Sequence, residues 1–326
     1  MINIFVTYRC SLACPTCFAR ELREEHPGDM GEEAFLRLLQ WMKKSDLPAV
    51  AFLGGEPTLH PGLPVMIDAT AAAGIAAVLF TNGLFRRDLA ERMAPAVSNF
   101  VVNYNHPRDL TLEQRGLLHA NLSELSESGA RITFSKNFSS GSLDYDYLLE
   151  GAARYGVRAV RYDISRPSGG AANDYVRMEE TPGVMARILD FVRECEARGI
   201  RTGLDCCLRL CDVSVEDRRY LQRVSMKFTG ICHPSIDIHP DLSASYCLPL
   251  HDVRVPDVTR FAGSQRLMQH FSALVRPTRF EGSSPACRAC PDFKRVCQGG
   301  CMALKRRSPA SDSGAFLPDR AEGRCA

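Results

Sequence analysis

The sequence lacks three features that would direct a protein to nucleic acid or to a membrane. Its formal net charge is only +2 over 326 residues, so no electrostatic attraction to nucleic acid or to an anionic membrane is expected. The longest apolar stretch, 71–80, contains a glycine and is too short to span a bilayer. No charged leader with a cleavage site precedes the first apolar residues. We therefore expect a cytoplasmic protein with neither a nucleic-acid nor a membrane partner.

Cysteine is abundant although no secretion signal is present. The chain has 14 cysteines, and without a signal peptide we expect reduced thiols that serve as metal ligands rather than disulfides. Hydrophobic residues make up 45% of the chain, which is enough for a sizeable core. The length fits a barrel with an appendage.

Three cysteines stand at C-x3-C-x2-C spacing, directly after a predicted buried strand at 2–8. Cys10, Cys14 and Cys17 are close enough in the chain to surround one metal centre, and soft thiolates suit iron–sulfur or zinc. Structural zinc sites usually take four ligands from paired knuckles. Only three are local here, so the fourth position is open or filled from a distance. The alternatives are a zinc knuckle or three packing cysteines.

This motif, with Phe18 directly after the third cysteine, resembles that of the radical S-adenosylmethionine (radical SAM) enzymes. The resemblance implies that Cys10, Cys14 and Cys17 hold a [4Fe–4S] cluster, with SAM on its unique iron and Phe18 near the adenine. It also implies reductive cleavage of SAM to a 5′-deoxyadenosyl radical, which abstracts hydrogen from a C–H bond. An electron donor such as flavodoxin or ferredoxin is then an expected partner.

A second motif, Gly54-Gly55-Glu56-Pro57, follows the apolar run 49–53. Glycines at a strand end allow the backbone to approach a ligand closely, and the Glu56 carboxylate can accept hydrogen bonds from an ammonium group. In the radical SAM family this segment binds the amino group of SAM. Alone, this motif indicates only a turn. Its distance behind the cysteine motif makes it a strong indication of the radical SAM resemblance.

Strands and helices alternate through the first two thirds of the sequence. Strands are predicted at 2–8, 49–53, 76–80, 100–104, 131–135 and 158–164. The helices that follow them are predicted at 32–44, 63–73, 87–93, 112–126, 143–155 and 181–198. Such alternation favours parallel strands joined by right-handed crossovers. We expect an α/β fold, a partial (β/α)6 radical SAM barrel over 1–205, closed by a strand at 200–205.

Functional groups in such a sheet belong at the carboxyl ends of the strands. Asn103 lies where many radical SAM relatives carry a serine that contacts the SAM ribose. Lys136, just after the predicted strand 131–135, is a candidate partner for the SAM carboxylate. For both, an ordinary loop residue is the alternative.

The last part of the chain, 206–326, is loop-rich and cysteine-rich, and we expect metal clusters to stabilise it. Its pattern C-x2-C-x6-C-x3-C resembles the SPASM extension of radical SAM enzymes, although five residues usually separate the middle cysteines. The resemblance implies two auxiliary [4Fe–4S] clusters. One uses Cys232, Cys247 and Cys301, and the other uses Cys287, Cys290, Cys297 and Cys325. Two zinc ribbons are the alternative.

Four cysteines remain. Cys195 lies in a predicted helix and is expected to be a packing residue. Cys206 and Cys207 are adjacent on a strand, so their side chains point in opposite directions. We expect one to face the barrel cavity, where a thiol could donate hydrogen to a substrate radical. The other, or Cys211, could complete the three-cysteine auxiliary cluster.

The SPASM resemblance favours modification of a ribosomally made peptide by oxidation, cross-linking or epimerisation. The sequence enters its first strand at once, without the leader-recognition domain of many peptide-modifying relatives. Dehydrogenation or epimerisation of a sugar or aminocyclitol is therefore the close alternative. The sulfatase-maturing branch is disfavoured because Leu248 replaces its aspartate. An iron–sulfur electron carrier or a zinc-ribbon scaffold explains the last third but not the GGEP motif.

Overall fold

An open sheet organises residues 2–170 and 172–307, which the computed structural model describes. Its strands are β1 (Ile2–Thr7), β2 (Ala49–Gly54), β3 (Ala76–Thr81), β4 (Val97–Asn103), β5 (Ile132–Phe138), β6 (Ala159–Ile164), β7 (Arg201–Leu204), β8 (Ser225–Met226), β9 (Asp237–Ile238), β10 (Ala244–Ser245) and β11 (Arg254–Val255). Their spatial order is β11-β10-β9-β1-β2-β3-β4-β5-β6-β7-β8. Neighbouring strands from β1 to β8 are parallel.

Helices connect the parallel strands and continue into the extension. Their bounds are α1 (Leu22–Glu25), α2 (Glu32–Lys44), α3 (Leu63–Ala72), α4 (Arg87–Met93), α5 (Leu112–Glu127), α6 (Asp146–Arg154), α7 (Thr181–Ala197), α8 (Val215–Val224), α9 (Ser264–Leu274), α10 (Arg276–Arg279) and α11 (Met302–Lys305). Helix α2 shows how they pack, because its buried Phe35, Leu38, Trp41 and Met42 recur at helical spacing. None of the helices in the described ranges is long and apolar enough to cross a membrane.

The predicted α/β partial barrel is confirmed, since each of β1 to β6 is followed by a crossover helix. The parallel run then continues through β7, α8 and β8, so strands from both sides of position 206 share one sheet. The open edge beside β1 is covered by β9, which pairs with it in parallel. Between Cys232 and Cys247, β9 and β10 form an antiparallel hairpin.

One strand end differs from its prediction in a way that concerns the site. The predicted strand 131–135 extends to Phe138, so Lys136 lies within β5 rather than in the following loop. The cause is pairing with β6, which continues as far as Phe138 opposite Ile164. Backbone hydrogen bonds to a neighbouring strand thus extend β5 across a polar segment whose sequence indicates a loop.

Candidate functional site

The three-cysteine loop starts where β1 ends, at the carboxyl edge of the sheet. The backbone N–H of Cys17 donates to the carbonyl of Cys14 at 3.1 Å, which curls the loop. The N–H of Leu12 donates to the Cys10 sulfur at 3.4 Å, and Arg20 donates to the Cys14 carbonyl at 3.0 Å. The three thiols are close enough to influence one another electrostatically.

Burial favours the protonated thiol at Cys10 and Cys14. Burial raises the pKa of Cys10 and, together with the negative charge of its neighbours, raises that of Cys14 to about 11. Thiolates in such a site need a metal centre to balance their charge. The donor set, three soft sulfurs with no carboxylate among them, fits an iron–sulfur cluster.

The glycine pair at the end of β2 lies directly against this loop. The N–H of Gly55 donates to the Thr7 carbonyl at 2.9 Å, and the N–H of Glu56 donates to the Arg9 carbonyl at 2.7 Å. A Cβ atom on Gly55 would overlap the carbonyl oxygens of Tyr8 and Arg9. Glycine is therefore required here because two backbones meet without room for a side chain.

Glu56 is fully buried beneath the same contact. Its carboxylate accepts hydrogen bonds from Thr58 N (3.2 Å), Thr58 Oγ1 (2.6 Å), Thr81 Oγ1 (2.8 Å) and Asn82 N (2.7 Å). Burial raises its pKa, and these donors oppose that rise. Glu56 thus joins the ends of β2 and β3, and its contact with the SAM amino group remains a prediction. Pro57 is buried beside it.

The other residues expected near SAM also lie around the carboxyl edge. The Lys136 ammonium donates to Ser142 Oγ at 2.8 Å and lies 5.4 Å from the ring centroids of Phe138 and Tyr147. Burial lowers its pKa to about 8. Asn103, at the end of β4, is half-buried and donates to Asn105 Oδ1 at 3.2 Å.

Phe18 packs with the side chains that line the end of β1. It is half-buried against a small apolar cluster that contains Phe5, Tyr8 and Leu22. This contact fixes its position immediately after the third cysteine. The contact with adenine, which the family resemblance implies, stays a prediction.

Glu21 is a site residue that sequence reasoning missed. Its carboxylate accepts hydrogen bonds from Ser168 Oγ (2.9 Å), Gly170 N (2.7 Å) and Ala172 N (3.2 Å), all in the loop after β6. Asn173 of the same loop donates to the Thr16 carbonyl at 3.1 Å. The loop is therefore fastened over the three-cysteine segment. No local motif marks Glu21, because its partners are far away in sequence.

Four cysteines from distant parts of the chain form a second group, Cys207, Cys232, Cys247 and Cys301. The thiols of Cys207 and Cys232 share a side-chain hydrogen bond, which raises the pKa of Cys207 and lowers that of Cys232. Both Cys247 and Cys301 interact electrostatically with Cys232. The structure thus brings the three cysteines expected to share a cluster together and adds Cys207 as a fourth thiol.

The adjacent Cys206 interacts electrostatically with Cys301, a member of this group, as well as with Asp163. Its thiol forms a side-chain hydrogen bond with Asp163 near the end of β6, and burial raises its pKa well above the usual range. Strand β7 ends at Leu204, so Cys206 and Cys207 lie beyond the strand on which their opposite orientation was predicted. Cys195 is fully buried in α7, which agrees with its expected packing role.

A third group lies in the loop before α11. The N–H of Cys290 donates to the Cys287 carbonyl at 3.2 Å, and Cys297 interacts electrostatically with Cys211. Burial opposes ionisation of Cys287, but hydrogen bonds from Ser283 and Ser284 lower its pKa overall. Cys211 therefore lies beside this group. Cys325, expected as its fourth member, is outside the described residues.

The sulfur positions can be compared with those in a zinc ribbon. In the part of the chain that the structure describes, no three His, Cys, Asp or Glu side chains are arranged to hold a single metal ion. The same statement covers the three-cysteine loop, so the thiol positions do not distinguish a zinc site from an iron–sulfur cluster.

Comparison with known proteins agrees with the geometry of the first site. Residues 4–126 match the Radical SAM superfamily model. This chain contains a radical SAM domain. The [4Fe–4S] cluster and SAM are the cofactors of such a domain, and Cys10, Cys14 and Cys17 are the residues that would hold the cluster.

Curated relatives cover different shares of the chain. Fe-coproporphyrin III synthase of Methanosarcina barkeri is 26% identical over 60% of this chain and 52% of its own length. Mycofactocin maturase MftC of Mycobacterium tuberculosis is 24% identical over 92% of this chain and 77% of its own length. The radical SAM chain thus spans about half of the former and most of the latter.

Solved radical SAM structures share the fold over nearly the whole chain. Streptococcus suis SuiB bound to S-adenosylmethionine aligns with a TM-score of 0.64 at 13% identity, over 93% of this chain and 72% of SuiB. Native anSMEcpe with bound AdoMet and Kp18Cys peptide aligns with a TM-score of 0.70 at 17% identity, over 96% and 91%. At these identities the likeness establishes the fold.

The close contact at Gly55 gives a direct test of how the radical SAM loop is held. The change Gly55→Ala should push the end of β2 away from the loop, lower stability by about 1–3 kcal/mol, and reduce iron bound at the first cluster. Iron analysis and thermal unfolding measure both effects. Gly116→Ala is the matched control, because nothing lies within 4 Å of a Cβ at that helical position. Equal iron in the two variants would contradict the packing argument.

Proposed function

We propose that this chain is a radical SAM enzyme that abstracts hydrogen from a C–H bond of a ribosomally made peptide. Oxidation, cross-linking and epimerisation are the possible outcomes. The bound cluster and SAM supply the 5′-deoxyadenosyl radical. The chain's own residues hold these groups: Cys10, Cys14 and Cys17 the cluster, and Lys136 the SAM carboxylate.

One observation carries this proposal: the loop of three thiols is accompanied by a separate group of four. Cys207, Cys232, Cys247 and Cys301 supply enough thiolates to bind every iron of an auxiliary cluster. Three thiols leave one iron open, whereas four close the coordination. We assign a second auxiliary cluster to the third group, Cys287, Cys290 and Cys297, completed by Cys211 or Cys325.

The substrate class rests on what the relatives are described as binding. SuiB has been solved bound to the precursor peptide SuiA, and anSMEcpe with a peptide. Two other relatives, Fe-coproporphyrin III synthase and AdoMet-dependent heme synthase, favour a small molecule as the alternative, within which we include sugars and aminocyclitols. An external reductant of the flavodoxin or ferredoxin type completes the proposed system.

The proposal also divides the chain into two domains. We assign 1–205 to the radical SAM barrel and 206–326 to the auxiliary cluster domain. The change from periodic strand–helix units to short elements with clustered cysteines supports this boundary. The shared sheet supports a rigid connection between the two parts.

Cys206 supports epimerisation among the outcomes. Its thiol is neutral because burial raises its pKa, and a hydrogen-atom donor must carry its hydrogen. Transfer of that hydrogen to the substrate carbon leaves a thiyl radical on Cys206. The reductant must then supply one electron, and solvent one proton, before the next turnover.

The first prediction concerns the three-cysteine loop. Changing Cys10, Cys14 and Cys17 to Ala should remove about four iron atoms per chain and abolish formation of 5′-deoxyadenosine, because no other site leaves an iron open. Roughly eight iron atoms should remain on the auxiliary thiols. Iron analysis and chromatography of SAM products provide the measurements. Continued SAM cleavage by the triple variant would refute the assignment, and zinc in place of the residual iron would favour the ribbon alternative.

The second prediction concerns pH. Because the pKa of Lys136 is about 8, its ammonium is charged below this value and loses its proton above it. SAM affinity should therefore be level below about pH 8 and fall by up to about tenfold per pH unit above it. Anaerobic equilibrium dialysis with labelled SAM measures the profile.

Two variants separate this effect from titration of the SAM amino group itself, whose pKa lies in the same range. Lys136→Arg should keep its charge and hold its affinity above pH 8. Lys136→Met should bind weakly at every pH. A fall in affinity above pH 8 that is equally steep in wild type and Lys136→Arg would exclude Lys136 as the titrating group.

The third prediction concerns Cys206. Cys206→Ala should retain its iron and cleave SAM but lose the epimerised product, and the wild-type product should carry solvent deuterium at the altered carbon in deuterated water. Mass spectrometry of the product measures both. Cys207→Ala is the contrasting variant, because it should lose auxiliary iron as well as product. Full activity of Cys206→Ala would remove this role.

A further inference from the structure

Three cationic side chains surround the group formed by Cys207, Cys232, Cys247 and Cys301. They are Arg166, Arg279 and Lys305, and they come from the loop after β6, the end of α10 and the end of α11. None of them belongs to a motif that the sequence marks as catalytic. Their common feature is a positive charge that interacts electrostatically with thiols of this group.

Arg166 is almost completely buried, with 3% of its surface exposed. Its guanidinium donates to the Cys207 carbonyl at 3.0 Å and lies 3.7 Å from the Asp163 carboxylate. Arg166, Cys207 and Cys301 line one small cavity. The Arg166 Nε–H has no acceptor among the described residues, although a buried donor without a partner is costly.

Arg279 approaches the same thiols from another side. It donates to the Tyr246 hydroxyl at 2.8 Å, and that hydroxyl lies 3.7 Å from the Cys232 sulfur. Its charge lowers the pKa of Cys232, after the larger effects of Cys207, burial and Tyr246. Its Nε–H likewise lacks an acceptor within the described ranges.

Lys305 is buried with 3% of its surface exposed. Its ammonium donates to four backbone carbonyls, at 2.6 Å to Thr278, 2.9 Å to Glu281, 2.9 Å to Gln298 and 3.1 Å to Arg279. It interacts electrostatically with Cys207, Cys232 and Cys301. Within residues 2–170 and 172–307, neither Lys305 nor Arg279 forms an ion pair with a carboxylate.

Of the three, Arg166 is buried beside Asp163, Arg279 is half-buried, and Lys305 is buried with no ion-paired carboxylate among the described residues. A buried charge is strongly unfavourable unless an anion compensates it. Four thiolates around an iron–sulfur cluster are such an anion, and the cluster sulfurs also accept N–H donors. Reduction adds a further negative charge to this site. Nearby cations stabilise the reduced form more than the oxidised form, and the effect is large in a buried, weakly screened environment.

We propose that Arg166, Arg279 and Lys305 form a cationic shell that raises the reduction potential of the auxiliary cluster held by Cys207, Cys232, Cys247 and Cys301. This inference rests on the proposed function, because it requires that cluster. A site that is easier to reduce accepts an electron more readily. The shell would serve oxidation or cross-linking, the outcomes in which the substrate radical gives up an electron, whereas the Cys206 argument concerns epimerisation alone.

The test measures the potential in the full chain, in the background lacking Cys10, Cys14 and Cys17. Arg166→Gln and Arg279→Gln remove charge, and Arg166→Lys and Arg279→Lys retain it. An anaerobic redox titration followed by electron paramagnetic resonance gives the midpoint of the signal that Cys232→Ala abolishes. Each Gln variant should lower the equilibrium constant for reduction by roughly tenfold, which is about 59 mV for one electron. Each Lys variant should restore most of the shift.

Arg218→Gln is the matched control. Arg218 is also half-buried with an unpartnered Nε–H, but its charge is paired with Asp292 at 2.7 Å. This variant should leave the midpoint unchanged. Lys305 is not substituted in the test, because four backbone carbonyls accept hydrogen bonds from its ammonium.

The possible failures are distinguishable. Absence of residual iron in the triple-cysteine background refutes the auxiliary cluster and with it the proposed function. Full iron with wild-type midpoints in both Gln variants refutes the cationic shell alone. If the Gln variants lose iron, the Lys variants decide between two explanations. Lys variants that retain iron and the wild-type midpoint support the role of charge. Lys variants that also lose iron would show that the shape of the arginine side chain matters rather than its charge, which overturns the inference.

Discussion

Everything at the first site depends on the direct backbone contact between the end of β2 and the three-cysteine loop. Two hydrogen bonds, Gly55 N to Thr7 O and Glu56 N to Arg9 O, hold the loop to the carboxyl edge of the sheet. The missing side chain at Gly55 allows this approach. The buried Glu56 carboxylate then ties the same edge to β3 through Thr81 and Asn82. The three-cysteine loop is thereby held against strand ends at the edge of the sheet.

The extension adds strands to the sheet beside β1. Strand β9 pairs with β1, and Asp237 accepts hydrogen bonds from Asn3 Nδ2 and Leu248 N, both at 2.7 Å. The Tyr8 hydroxyl and His239 Nδ1 form a 2.6 Å hydrogen bond next to the three-cysteine loop. Burial and the nearby His26 lower the pKa of His239 to about 3, so its ring is neutral. These contacts connect the first strand to the segment that presents Cys247.

Electrostatics distinguish the two thiol sites. The pKa is raised for Cys10 and Cys14 in the first loop and also for Cys247 and Cys301 in the four-cysteine group. The four-cysteine group differs in the buried cations that lie beside it, Arg166 and Lys305. Leu242, in the same region, has an unfavourable backbone conformation. It has φ +69°, in the left-handed region that favours glycine, and its side chain is buried. Packing of that side chain offsets the backbone strain.

The sequence by itself determined the local features: the cysteine spacing, the GGEP motif, and the alternation of strands and helices that predicts a partial barrel. Each of these features depends only on neighbouring residues and on the periodicity of their hydrophobic pattern. Only the tertiary structure decided which cysteines meet. The sequence predicted opposite orientations for Cys206 and Cys207 from strand geometry, but β7 ends at Leu204. Which of the two thiols meets Cys232 therefore depends on how the chain enters the extension. Glu21, Arg166 and Lys305 were likewise invisible in the sequence, because their partners are brought near only by folding. Lys136 lies inside β5 because pairing with β6 extends that strand, a long-range effect that no local pattern encodes.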